Sequence, residues 1–191
     1  MQDANIQVWI KSIWLTLGVV WAIGAFVTKR TARAQTSSSR LVQGALATAG
    51  FFLLLRPEIG IGPLGRRFLP ESAAAAYAGL AITACGVALA VWARVFLGAN
   101  WSATVTIKQD HEIIRSGPYA LVRHPIYSGL LLGMLGTAIA IGEMRGLVAL
   151  GLVFLGWWLK LQTEERFLLE QFGTQYLKYR KETKALIPFV L

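Results

Sequence analysis

Five apolar runs, at 13–27, 41–55, 77–97, 127–142 and 147–159, limit what this chain can become more than any other feature it has. Several of them fall near the ~17 to 25 residues that a helix needs to cross a bilayer. Lipid offers no water to backbone N–H and C=O groups, so a spanning segment must satisfy them internally, as a helix does. Only 15% of the residues are charged and the mean hydropathy is +0.52, whereas a soluble domain carries about 25% charge. The expected fold is therefore all-α and integral to a membrane, with about five transmembrane helices. The second run is the weakest of them, since it is short and ends against Arg56, Pro57 and Glu58.

The net charge of +9 raises the question of nucleic acid. The basic residues are scattered between the apolar runs and form no single stripe interleaved with exposed aromatics, so a nucleic-acid partner is not expected. Membrane topology accounts for them better. With the N-terminus outside, every one of the 19 Lys and Arg except Lys11, Arg56, Arg66, Arg67 and Arg145 falls on the cytoplasmic side. The positive-inside bias thus predicts an N-out, C-in protein of the cytoplasmic membrane. Anionic lipid of the inner leaflet would reinforce that placement.

Three features invite misreading. Ala32-Arg33-Ala34 after the first run mimics a signal-peptide cleavage site, but Asp3 precedes the run and Lys29, Arg30 and Arg33 follow it, the charge order of a retained helix. Gly60-Ile-Gly-Pro-Leu-Gly65 matches the spacing of a dinucleotide loop, yet it follows a membrane helix and contains Pro63, so a plain loop is expected. Cys85, the single cysteine, excludes a disulfide and reads as a small packing residue; no metal site is expected.

The chain reads as one domain over 1–191, with spans in 8–60 that carry no motif and a polar core in 100–191. Thr36 to Arg40 looks like a Ser-rich turn between the first two spans. Asn100 to Pro118 is too polar for lipid and too long for a turn, which predicts a structured cytoplasmic loop.

Polar chemistry gathers in two clusters: His111 to Tyr119 running into Arg123–Tyr127, and Lys160 with Glu164 and Glu165. From His124 to Glu164 is 40 residues, one apolar run out and one back. A run of about 16 residues rises ~24 Å, so the hairpin returns Glu164 to the face that holds His124. Pro125 suits the first position of the fourth helix, where a missing N–H costs nothing. Arg123 and His124 then stand at a helix entrance whose free donors and positive dipole end suit an anionic group. Glu164 and Glu165 would hold an ammonium or face a sulfonium, and a cofactor bearing both charges would suit the pocket. The plainer readings are that Arg123 snorkels to phosphate headgroups, that His124 is an interfacial histidine, and that the glutamates open a surface helix over 162–182.

At these residues the chain resembles the isoprenylcysteine carboxyl methyltransferase family and, more distantly, the membrane phospholipid N-methyltransferases. The resemblance covers 111–188: His111 with Gly117-Pro118-Tyr119, the Arg-His-Pro-x-Tyr-x-Gly of Arg123 to Gly129, Glu164-Glu165, Phe172-Gly173, Tyr176, Tyr179 and Ile187-Pro188-Phe189. It implies S-adenosylmethionine as methyl donor, and a lipophilic small-molecule or lipid acceptor arriving from the bilayer. The implied cytoplasmic pocket is formed by the loop before helix 4, the start of helix 4 and the segment after helix 5. Cofactor contacts carried over by position are His111, Glu112, Ile113, Ile114, Tyr119, His124, Pro125, Ile126, Tyr127 and Glu164. Arg123 and Glu165 are the candidate catalytic residues, and Lys160 the substrate-binding one. Lys160 stands where the family has an arginine, and Thr104 where it has a glutamine. A carboxylate acceptor would need no base; an amine or thiol would need one, for which Glu165 or His111 is nearest. The competing enzyme class is an NADPH-dependent membrane sterol reductase, which shares a similar Arg-His-Pro-x-Tyr-x-Gly segment, and a scaffold without chemistry is the third reading.

Overall fold

The computed structural model describes residues 2–26, 31–34, 37–98, 101, 106–108 and 113–190. Helices α1 (Gln2–Ala25), α2 (Ser37–Leu55), α3 (Ala73–Leu97), α4 (Pro125–Ile141), α5 (Met144–Phe172) and α6 (Thr174–Glu182) make up most of it. Strands β1 (Thr31–Ala34) and β2 (Thr106–Lys108) form an antiparallel pair. The helical membrane fold read from the apolar runs is borne out, and four of the helices (α1, α2, α3 and α5) are long and apolar enough to cross a membrane.

Helix α4 is shorter, at 17 residues, or about 26 Å of rise. Its two ends nonetheless join opposite faces of the bundle. Pairing of β1 with β2 ties the α1–α2 connection to the α3–α4 connection on one face. On the other, the backbones of Arg67 and Glu143 pair in an isolated antiparallel β-bridge, and Arg145 donates to the carbonyls of Leu53 and Leu54, both at 3.0 Å. Alternation of the five apolar helices between two faces is thus set by contacts between the connections, whatever the length of α4.

Small residues decide how the helices meet. Gly79, Thr83, Gly86 and Ala90 of α3 lie against Gly129, Gly133, Gly136 and Ala140 of α4, backbone to backbone. Lipid supplies no hydrophobic drive between helices, so close approach and hydrogen bonds must hold them. A buried network adds to this seam: Trp14 Nε1 donates to Thr137 Oγ1 at 3.0 Å, and Thr137 Oγ1 lies 3.1 Å from Thr83 Oγ1. At the β-ribbon face, buried Arg94 pins α1 to α3 by donating to the Gly24 and Gly98 carbonyls at 2.6 and 3.0 Å. Large apolar side chains such as Trp9, Leu15, Val95 and Leu155 point outward, as lipid-facing residues do.

Three sequence expectations need correction. Ser37 to Arg40 is the first turn of α2 rather than a joining turn, because serine serves well at a helix start. Glu164 and Glu165 do not belong to a separate segment after the fifth helix; α5 runs 29 residues, about 44 Å, and carries them past the ~30 Å apolar layer in one rigid rod. The helix breaks instead at Gly173, whose φ of +50° suits glycine, and α6 follows. Cys85 is exposed on α3 and is not one of the buried packing residues of the bundle. Gly60 to Gly65, as expected, is loop, wound as short 3-10 turns.

Candidate functional site

A 3-10 turn at Gly117–Ala120 delivers the chain to the start of α4, where His124 is the cap residue and Pro125 opens the helix. The expected free donors at this entrance are partly taken. The backbone N–H of Arg123 donates to the Lys184 carbonyl at 2.8 Å, and that of His124 to the Ala185 carbonyl at 3.0 Å. Ser128 Oγ donates to Leu186 at 2.5 Å. The segment after α6 therefore lies along the entrance of α4 and takes up the backbone donors just before its first turn. Nothing local in the sequence announces this. Among the described residues, the N–H groups of Ile126 and Tyr127 keep no acceptor and remain for a ligand.

Adjacent glutamates point about 100° apart on a helix, and the two carboxylates have separate surroundings. Glu165 is buried. Its Oε1 accepts from Arg123 Nε at 2.8 Å and Nη2 at 2.6 Å, and lies 3.3 Å from His124 Nε2; its Oε2 lies 3.5 Å from Arg180 Nε. The remaining Arg123 nitrogen donates to the carbonyls of Thr183 and Arg180. Every nitrogen of the Arg123 guanidinium and both Glu165 oxygens are thus engaged within the chain, joining α4, α5 and α6. An arrangement of this kind holds helices in place; it leaves neither group facing outward.

Glu164 is different. Its side chain is 35% exposed, its Oε2 accepts from the Tyr127 hydroxyl at 3.0 Å and lies 3.8 Å from His124 Nδ1, and Oε1 has no partner among the described residues. Beside it, His124 stacks on Tyr127 at 5.6 Å and Tyr127 on Trp157 at 5.8 Å. Lys160 Nζ sits 5.6 Å over the Tyr127 ring. One carboxylate, a run of aromatic faces and a lysine therefore share the end of the membrane layer. Trp157 was missed in the sequence, although its spacing to Lys160 and Glu164, by three and then four residues, places all of them on one face of α5.

Tyr119 is buried, its hydroxyl donating to the Ala93 carbonyl of α3 at 3.3 Å while its own carbonyl accepts from Tyr179 Oη at 2.5 Å. Arg115 Nη2 donates to the Gln175 carbonyl at 2.6 Å and its guanidinium lies over the Tyr179 ring. Burial pushes the Tyr119 and Tyr176 phenols well above their usual range, and Tyr179 up to about 12. These groups stay neutral and brace the turn. Tyr176 is 1% exposed, and its buried hydroxyl has no hydrogen-bond partner among the described residues. Ile113 and Ile114 are half-buried at the start of this stretch. His111, Glu112 and Thr104 lie outside the described residues.

The sequence model of the phospholipid methyltransferase family matches residues 74–175, more than half of the chain. The chain belongs to that family. Among its relatives, a protein named protein-S-isoprenylcysteine O-methyltransferase from Schizosaccharomyces pombe is 35% identical over 51% of this chain and 43% of its own length. A probable protein-S-isoprenylcysteine O-methyltransferase from Oryza sativa is 32% identical over 60% of this chain and 61% of its own. This chain spans about half the length of the curated relatives that it matches. A solved structure titled as the eukaryotic intramembrane Ras methyltransferase, isoprenylcysteine carboxyl methyltransferase, covers 82% of this chain and 54% of its own with a TM-score of 0.51 at 23% identity, a likeness of fold. The resemblance read from the motifs is borne out. These relatives are named for moving a methyl group, which requires a methyl donor, and not for reducing a sterol.

Proposed function

We propose that this chain is an integral membrane methyltransferase that uses S-adenosylmethionine and acts on a lipophilic acceptor reaching its site from the bilayer. The observation that carries the reading is the contrast between the two glutamates: Glu165 is consumed by Arg123 and His124, whereas Glu164 keeps an oxygen without a partner among the described residues, beside the stacked His124, Tyr127 and Trp157.

The residues present fit the cofactor. Its ammonium suits the charge of Glu164, its carboxylate suits the open N–H groups of Ile126 and Tyr127 at a helix N-terminus, and its cationic sulfur suits a nearby aromatic face. When bound, S-adenosylmethionine supplies an electrophilic methyl group. The chain itself contributes placement. Arg123 and Glu165 act as positioning residues, fixing the start of α4 against α5, so that His124 and Tyr127 face Glu164. Fixed alignment of two reactants accounts for up to roughly 7 to 11 kcal/mol of a displacement barrier. Lys160 faces the acceptor side, where a point charge suits an anionic group such as a carboxylate. The β-ribbon face is cytoplasmic in this reading, with N-terminus outside, and 1–191 act as one domain with the cofactor core in 100–191.

Calorimetry in detergent tests the proposal. S-adenosylhomocysteine is expected to bind and NADPH not; binding of NADPH alone overturns the methyltransferase reading, and binding of neither favours a scaffold. Incubation of labelled methyl donor with native lipid extract, thiols and prenylcysteine analogues then identifies the acceptor.

A further inference from the structure

Ser128 belongs to the first turn of α4, a helix that enters the apolar layer, and its hydroxyl is bonded to the Leu186 carbonyl at 2.5 Å. Leu186 is therefore held at the depth where the membrane begins. The residues that follow are apolar and uncovered: Ile187, Pro188, Phe189 and Val190 are all exposed, Phe189 at 96%. At most ~3.5 Å is added per residue, so these side chains remain within about 14 Å of the interface. Phe189 also adopts φ of +66°, a left-handed conformation unusual for an aromatic residue and one that turns the chain at this point.

Charge accompanies the exposed apolar tip. Tyr176 and Tyr179 bury one face of α6, while Lys178, Arg180 and Lys181 lie on the exposed remainder and Lys184 follows, with Glu182 as the one carboxylate among them. Arg180 is partly drawn to Glu165, which leaves the three lysines outward. An exposed apolar cluster flanked by cations, at interface depth, has the chemistry of an element that lies on a lipid surface.

We infer that α6 and the segment through Val190 form a docking surface for an anionic bilayer leaflet, with Phe189 and Ile187 inserted among the acyl chains and Lys178, Lys181 and Lys184 on the headgroups. The same segment lends the carbonyls of Lys184, Ala185 and Leu186 to Arg123, His124 and Ser128, so docking steadies the entrance of α4 from outside.

The test uses the full chain in proteoliposomes, with Cys85→Ala to remove the exposed thiol and Val190→Cys carrying a nitroxide. Collision with oxygen and with a water-soluble nickel chelate reports whether the label is in lipid or water. The label is expected to be shielded from nickel in vesicles containing phosphatidylglycerol and exposed in pure phosphatidylcholine. Each lysine beside an anionic leaflet contributes roughly fivefold, so Lys178→Gln, Lys181→Gln and Lys184→Gln together should lower the docked-to-undocked ratio about a hundredfold. Raising salt to about 1 M, where charges are screened beyond ~3 Å, should do the same without altering the chain. Equal nickel access in both lipids overturns the inference, as does shielding indifferent to lysine loss and salt. Shielding that grows with protein-to-lipid ratio overturns it in favour of a second copy of this chain.

Discussion

Replacing Glu165 and Glu164 by alanine, one at a time, separates holding the fold from holding a ligand. Glu165→Ala leaves Arg123 and His124 buried without their carboxylate; the Arg123 and Glu165 side chains are only 8% and 10% exposed. Breaking a buried pair from one side costs about 3 to 5 kcal/mol, most of it for the charge left behind. For a chain of this size each kcal/mol shifts Tm by roughly 2 to 4 °C, so a loss of about 6 to 20 °C is expected. Glu164 is 35% exposed and surrenders one hydrogen bond, from Tyr127, so its loss should cost no more than about 1 kcal/mol of stability. It should instead weaken S-adenosylhomocysteine binding by about 2 kcal/mol, close to thirtyfold. Differential scanning fluorimetry in detergent reads the first effect and calorimetry the second. The reasoning is refuted if Glu164→Ala melts as early as Glu165→Ala, or if Glu165→Ala keeps the parent Tm while abolishing binding.

The α3–α4 seam gives a second pair of variants. A Cβ on Gly129 would stand 2.6 Å from both the Ala90 nitrogen and the Gly86 carbonyl oxygen, so Gly129→Ala should destabilise by about 1 to 3 kcal/mol or block folding. Gly151→Ala meets nothing within 4 Å and, in the interior of α5, should hold or slightly raise the melting temperature. Thr137→Val removes the acceptor of the Trp14 indole and should cost about 1 kcal/mol, read by the same melts. Burial holds the folded Tyr179 phenol at about 12, above its ordinary value near 10. Its contribution is therefore complete below pH 10 and lost as pH rises toward 12, and Tyr179→Phe should flatten the fall in Tm across that window.

Apolar runs and punctuation already fix much of this molecule. The spans end where Leu55 meets Arg56 and Pro57, α4 begins at Pro125, and Gly142 ends it in a left-handed turn, all from local chemistry visible in the letters. The return of Glu164 to the face of His124 likewise follows from counting helical rise across a hairpin. Small residues at Gly129, Gly133 and Gly136 are also plain in the sequence, but their partners on α3 are not, because packing depends on which faces meet.

What only the tertiary structure decided is the division of labour at the entrance of α4. Glu164 and Glu165 are neighbours in the letters, equally acidic, and a sequence reading could give either the chemistry. Helical geometry turns one toward Arg123, His124 and Arg180 and the other toward Tyr127 and open space. The donors of Arg123 and His124 were likewise legible as donors, yet their acceptors are the Lys184 and Ala185 carbonyls, some 60 residues on. Sequence determines local propensity and the solvent each segment needs; which of two adjacent charges is enclosed, and what encloses it, arises only when distant segments compete for the same helix end.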